Sequence, residues 1–161
     1  MSEEMKPMDM DVLREEIKAD EGVKYEVYLD HLGLPTCGIG HLIKETDPEH
    51  GLEVGTKISE ERVNELFEQD IAVTINECEE LFKTQFSSFG ALPTEARYIL
   101  ANMMFNMGKP RLSKFVNMRK AIENFDYEEA SNQMKDSKWY TQVTNRADRL
   151  VNRMKALKVT E

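Results

Sequence analysis

The chain has 161 residues, 30 acids against 21 lysines and arginines, and a net charge of −9, with 40% hydrophobic residues. That hydrophobic share excludes a disordered or fibrous chain, and the length suits one compact domain or two lobes sharing one chain. The acid excess speaks against general nucleic-acid binding, and no apolar run nears the ~20 residues a membrane helix needs.

The N-terminus, MSEEMKPMDMDV, lacks the basic start and apolar centre of a secretion signal, so synthesis in a cytoplasm is expected. Residues 9–21 then read as a first helix, with Leu13 and Ile17 four apart and Gly22 as a stop. Residues 23–58 are short, glycine-rich and alternating (Tyr25, Val27, Leu29, then Leu34, Cys37, Ile39 after a turn at His31–Gly33), which predicts a small antiparallel sheet. Pro35 lacks a backbone donor, which places its strand away from the middle of the ladder.

Residues 59–83 carry the strongest helical pattern. Ser59 is the N-cap, Glu60 and Glu61 suit the first turn, and Val63, Leu66, Phe67, Ile71, Thr74, Cys78, Leu81 and Phe82 make one stripe. At ~1.5 Å per residue it spans roughly 37 Å, enough to bridge two lobes. From Pro93 to Gly108 the sequence is almost wholly apolar, which predicts the central helix of a bundle; shorter helices follow at 113–124, 126–135 and 144–157. The class is α+β: residues 1–58 hold the first helix and a small sheet lobe, 59–83 the linking helix, and 84–161 a helical lobe.

Cys37 and Cys78 show no metal-ligand spacing and read as small buried residues. Charge is uneven: residues 1–110 carry 23 acids and 10 bases, while 111–161 carry 7 acids and 11 bases. The basic part faces either an anionic polymer or water alone.

The chemistry concentrates in ADEGVKYEVYLDHLGLPTCGIGH, residues 19–41. Glu21 is in phase with Leu13 and Ile17, at a helix C-terminus. Burial and the helix dipole there both favour the protonated carboxyl that a general acid needs. Asp30, just before a turn, stays ionised and can activate water or steady positive charge. The Thr36 hydroxyl, which donates and accepts, can orient a water against Asp30; in a strand, one of Thr36 and Cys37 faces the cleft and the other the core. Taken singly, each residue reads as well as a C-terminal Glu in water, a turn-starting Asp or a β-prone Thr.

Together, Glu21, Asp30, Thr36 and the run Gly38, Ile39, Gly40, His41 resemble the lysozymes of the T-even bacteriophage type. ELFEQD (65–70), NMMFNMG (102–108) and SKWYTQVTNRADR (137–149) continue the resemblance. It implies a lysozyme-like fold with an active-site cleft between the lobes. It also implies a muramidase that hydrolyses the β-1,4 bond between N-acetylmuramic acid and N-acetylglucosamine of bacterial peptidoglycan, with inversion and without metal or cofactor. Glu21 is then the general acid, and Asp30 with Thr36 holds the attacking water. Arg146 pairs with Glu21, and His41 pairs with Asp70 to join the sheet to the long helix. Leu42, Phe105, Asn117, Met118 and Gln133 fall at or near substrate-contact positions, or are plain core. The chain departs from the family in having Gln133 for an Asn and Met118 for a Ser. Its stretch from Leu42 to Ser59 is shorter, which is expected to remove a small helix and open the upper cleft. Its acidic balance weakens attraction to wall polymers.

The implied protein is a monomer with no nucleic-acid partner and no membrane insertion. It is made in a host cytoplasm and reaches the wall after holin-type membrane opening. Three other readings compete. A lytic transglycosylase needs only the Glu. An inactive homologue would bind glycan. An acidic, Met-rich helical binding module would need a calcium loop, and no D-x-[DN]-x-[DN]-G run with a closing Glu occurs.

Overall fold

A computed structural model describes residues 6–85 and 87–158; residues 1–5, which begin the acidic N-terminal stretch, Phe86 and residues 159–161 lie outside the described set. The chain opens with helix α1, Met10–Glu21, capped by Asp9, whose side chain accepts from the Asp11 N–H. Leu13 and Ile17 are fully buried, so the four-residue spacing turns one face inward and carries Glu21 on that face.

Strands β1 (Lys24–Leu29), β2 (Pro35–Gly38) and β3 (His41–Leu42) form one antiparallel sheet in the order β1-β2-β3. Tyr28 faces Thr36 and Leu29 faces Pro35, while Thr36 and Cys37 pair with Leu42 and His41. The outer edge of β1 is covered by residues 55–58: Val27 donates to Thr56 O at 2.9 Å and Ile58 to Tyr25 O at 3.0 Å. The strand holding Pro35 is thus the middle one, contrary to the expectation from its missing donor. Pro35 is the first residue of β2, where the lost N–H falls at the end of the ladder, and its carbonyl still accepts from Ile43 N at 3.0 Å. Between β3 and the Lys57–Glu26 bridge the chain runs through turns without a helix.

Helix α2, Glu60–Leu81, begins where the sequence places it, with Ser59 Oγ accepting from Arg62 N. Its stripe from Val63 to Cys78 is buried, and it touches β2 and β3 at one end and the helical body along its length. A 3-10 turn, Phe89–Ala91, leads into α3, Thr94–Leu112. This helix is buried on nearly every side, as its composition predicts, and runs four residues past the expected end. Gly108, at φ 78° and ψ 162°, kinks it; Pro110 then sits in the first turn of the resumed helix, where a missing N–H costs nothing.

Helices α4 (Val116–Glu123), α5 (Tyr127–Lys135), α6 (Lys138–Gln142) and α7 (Thr144–Lys155) complete the body. The expected helix at 113–124 starts three residues late, because residues 113–115 are occupied in turn hydrogen bonds to Lys109, Arg111 and Leu112. The five-residue α6 is too short to show periodicity; the Ser137 hydroxyl caps it by accepting from Tyr140 N. Met103, Met104, Met107, Met118, Met134 and Met154 are all buried, so these methionines fill core rather than a binding face. Cys37 and Cys78 are free and buried. No helix among the described residues is long and apolar enough to cross a membrane.

Candidate active site

Glu21 is the last residue of α1, and its side chain keeps 17% of its exposure. Arg146, from α7, donates through Nη1 to Glu21 Oε2 at 2.7 Å. The other carboxyl oxygen faces Gly40 so closely that a Cβ added there would sit 2.7 Å from Oε1. Gly40 has φ +62°, in the β2–β3 turn, so both its conformation and its missing side chain bring the backbone against the carboxyl. Glu21 is held between a guanidinium and a peptide.

Asp30 is held by the backbone. Its Oδ1 accepts from Leu32 N at 2.8 Å and Leu34 N at 2.9 Å, and its own N–H donates to Leu34 O. The sequence expects an Asp before a turn, and the structure makes its side chain the acceptor that closes the turn. Oδ2 carries none of these hydrogen bonds. Thr36 is 4% exposed, and its hydroxyl donates to Leu34 O at 2.9 Å. Thr36 and Cys37 are both buried. With its proton committed to Leu34 O, Thr36 Oγ1 can only accept from a further partner. Asp30 and Thr36 are thus joined through Leu34.

Tyr28 lies opposite Thr36 on β1. Burial first, then the charges of Glu21, Cys37 and Asp30, raise its hydroxyl above the ordinary tyrosine range. Lys24 lies over the Tyr28 ring, 4.3 Å from its centroid.

Arg146 is itself held. Its Nε donates to Asn102 Oδ1 at 2.8 Å and lies 3.7 Å from Asp20 Oδ2. Asn102, fully buried in α3, donates to Glu16 at 2.7 Å and to Asp20 at 2.9 Å. Arg149 pairs with Asp20, and Arg153 with Glu16 and Glu95. Three acids of α1 thus meet three arginines of α7 across one buried amide. Of this set the sequence reading names only Glu21 and Arg146. The spacing of 146, 149 and 153 marks one face of a helix, and Asn102 is a polar residue within an apolar run; both are signals that point to the seam.

His41 Nδ1 lies 2.7 Å from Asp70 Oδ2, joining β3 to α2 as expected. Its Nε2 lies 2.7 Å from Asp47 Oδ2, a partner that sequence reasoning misses. Asn117, Met118 and Gln133 come together with Phe115, Asp136 and Ser137 around a depression of about 210 Å³. Met118 is fully buried there. Phe105 and Leu42 lie outside that depression: Phe105 is half-buried edge-on to Phe67, and Leu42 is 49% exposed on β3. Among the described residues no group of three or more His, Cys, Asp or Glu side chains could hold a metal ion.

The chain matches the phage lysozyme family model over residues 18–156. It is 34% identical over 156 residues to probable T4-type lysozyme 2 of Dictyostelium discoideum, spanning 87% of this chain and 91% of that protein. It is 29% identical over 152 residues to the pre-baseplate central spike protein Gp5 of Enterobacteria phage T4, covering 86% of this chain but 26% of that one. It is also 28% identical over 141 residues to the peptidoglycan hydrolase gp36 of Pseudomonas phage phiKMV, covering 88% of this chain and 15% of that protein. With nearly the whole chain matched, it belongs to the phage lysozyme family and is a glycoside hydrolase.

Proposed function

We propose that this enzyme hydrolyses the β-1,4 link between N-acetylmuramic acid and N-acetylglucosamine in bacterial peptidoglycan, with Glu21 as general acid and Asp30, aided by Thr36, holding the attacking water. The observation that carries the reading is the contrast between the two carboxylates. Glu21 is half-dry and pinned by Arg146, while Asp30 has one oxygen fixed by peptide N–H groups and the other outside that turn.

Glu21 protonates the leaving oxygen as the glycosidic bond breaks. A water donates one hydrogen to Asp30 Oδ2 and the other to Thr36 Oγ1, which turns its lone pair toward the anomeric carbon. Asp30 takes a proton as the carbon–oxygen bond forms. A water between acid and base attacks from the opposite face and inverts the centre, which requires carboxyls ~6.5–9.5 Å apart. The sheet segment within residues 1–58 and the helical segment 84–161 serve as the two cleft walls, joined by the helix at 59–83. Leu42, Phe105, Asn117 and Gln133 contact sugar or stem peptide. The enzyme acts as a monomer on the wall, reached after the host membrane opens.

A turbidity assay on outer-membrane-stripped cells tests this. Glu21→Gln, isosteric and without the proton, should abolish clearing while the circular dichroism spectrum is kept; wild-type clearing by that variant overturns the reading. Reducing ends among the fragments support hydrolysis, and anhydromuramic ends indicate transglycosylation.

A further inference from the structure

We propose that Asp20, whose carboxylate lies by Arg146 Nε while Glu21 holds Arg146 Nη1, is a positioning residue that draws off part of the Arg146 charge and so weakens its pull on the Glu21 proton. This rests on the reading of Glu21 as the general acid.

The difficulty it resolves is physical. A general acid must hold a proton at working pH, yet Glu21 has an arginine bound to it at 2.7 Å. An unshared guanidinium beside a carboxylate favours the charged form, by about 1–3 pH units in typical cases. Here the guanidinium is not unshared. The Asp20 side chain is 5% exposed, lies 3.7 Å from Arg146 Nε, and stands one residue before Glu21 on α1. Asn102 bridges the two groups, accepting from Arg146 and donating to Asp20. Burial opposes the Asp20 charge, but hydrogen bonds from Asn102 and Arg149, with the Arg146 charge, keep its carboxyl below the ordinary range. Asp20 is therefore a fixed negative charge wherever the enzyme works.

The groups facing Glu21 come from four directions. Asp20 stands beside it on α1. Arg146 comes from α7, with Arg149 behind Asp20. Asn102 lies on α3, and Tyr28 and Asp30 are on the sheet side. Glu16 is matched by Arg153. Arg146 faces Asp20 as well as Glu21, so it is never left to Glu21 alone. Removing the Asp20 charge tips the seam positive; removing the Arg149 charge tips it negative. The two changes must move the proton on Glu21 in opposite directions.

The test is the pH–rate profile of clearing at fixed ionic strength, read as the ratio of the rate at about pH 8 to that at about pH 5.5. Asp20→Asn should lower this ratio about three- to tenfold, and Arg149→Gln should raise it. A purely structural role for Asp20 would scale the rate at every pH alike and leave both ratios at the wild-type value, and that result overturns the proposal. If Asp20→Asn does not fold, Arg149→Gln decides by itself: its side chain is 56% exposed, and an unmoved or lowered ratio refutes the idea. The outcome is separable from the parent reading, because Glu21→Gln tests the acid directly. An inactive Glu21→Gln with unmoved ratios sinks only this inference.

Discussion

Replacing Gly40 by Ala should separate catalysis from stability. The new Cβ would stand 2.7 Å from Glu21 Oε1 and 3.0 Å from its Cδ, where carbon contacts normally settle near ~3.5 Å. The carboxyl must therefore move by roughly 0.5–1 Å. It cannot do so and keep the 2.7 Å hydrogen bond to Arg146, whose other nitrogens are fixed by Asn102. A misplacement of about 1 Å at a reacting group costs on the order of 10²-fold in rate. Stability should suffer less, because the atom displaced is the end of a side chain; the left-handed backbone at φ +62° adds about 1–2 kcal/mol. Gly51→Ala is the control, since Gly51 has φ +85° and nothing within 4 Å of the place its new methyl would take. Both variants should lose similar stability in urea, and only Gly40→Ala should lose clearing activity. Equal activity in the two would refute the idea that Gly40 sets the place of Glu21.

Asp30→Asn keeps the Oδ1 that closes the hairpin turn and loses only the charge, so the fold should persist while clearing falls about 10²–10⁴-fold; Thr36→Ala should fall less, and a full rate in Asp30→Asn would remove the base from the mechanism. Burial works against the His41 imidazolium, but Asp70 and Asp47 outweigh it and raise its titration, while Asp47 is lowered against its own burial by Lys44 N–H and His41. The His41 contribution is full below about pH 6.5 and fades as pH rises through the raised folded value, and that of Asp47 fades as pH falls below about 3.8. The urea-midpoint gap between wild type and His41→Gln should thus be widest between these limits and narrow on the alkaline side; a gap constant from about pH 5 to 10 would contradict this. Asn102→Ala strands Arg146, Glu16 and Asp20 in a buried seam and should cost roughly 3 kcal/mol in urea unfolding; a loss below about 1 kcal/mol would mean the seam closes without its amide.

What can be read from the sequence is what one segment decides for itself. Leu13, Ile17 and Glu21 share a helix face because about 3.6 residues make a turn, and the stripe of α2 follows the same arithmetic. The hairpin turn at Asp30 declares itself through Asp and Gly. Pro35 misleads because the rule for strand interiors does not govern a strand's first residue. What stays hidden are the pairings between segments distant in sequence. Asn102 reads as an interruption in a greasy helix until Glu16, Asp20 and Arg146 surround it, contacts made across 86, 82 and 44 residues. Asp47 looks like one more loop acid until His41 turns toward it. A polar residue inside an apolar helix nonetheless demands partners from elsewhere in the fold, and that demand points to the seam.

The two carboxylates are held by different physics, and that divides how the enzyme can be damaged. Asp30 is oriented by the peptide groups of its own turn, so its geometry depends on little beyond residues 30–34. Glu21 depends on three helices: α1 carries it, α7 supplies Arg146, and α3 supplies the Asn102 that aims Arg146. A truncation in the helix that carries Asn102, as in Met103→Ala, should therefore loosen the acid while leaving Asp30 in place. Met103 is fully buried one residue from Asn102, and such a truncation costs about 2–5 kcal/mol. Its activity should fall at temperatures where the fold still holds, whereas a comparable truncation on α4, Ile122→Ala, a helix that packs on α5, should leave activity unchanged until unfolding begins. If both variants lose activity only together with their structure, the helical seam does not govern the acid.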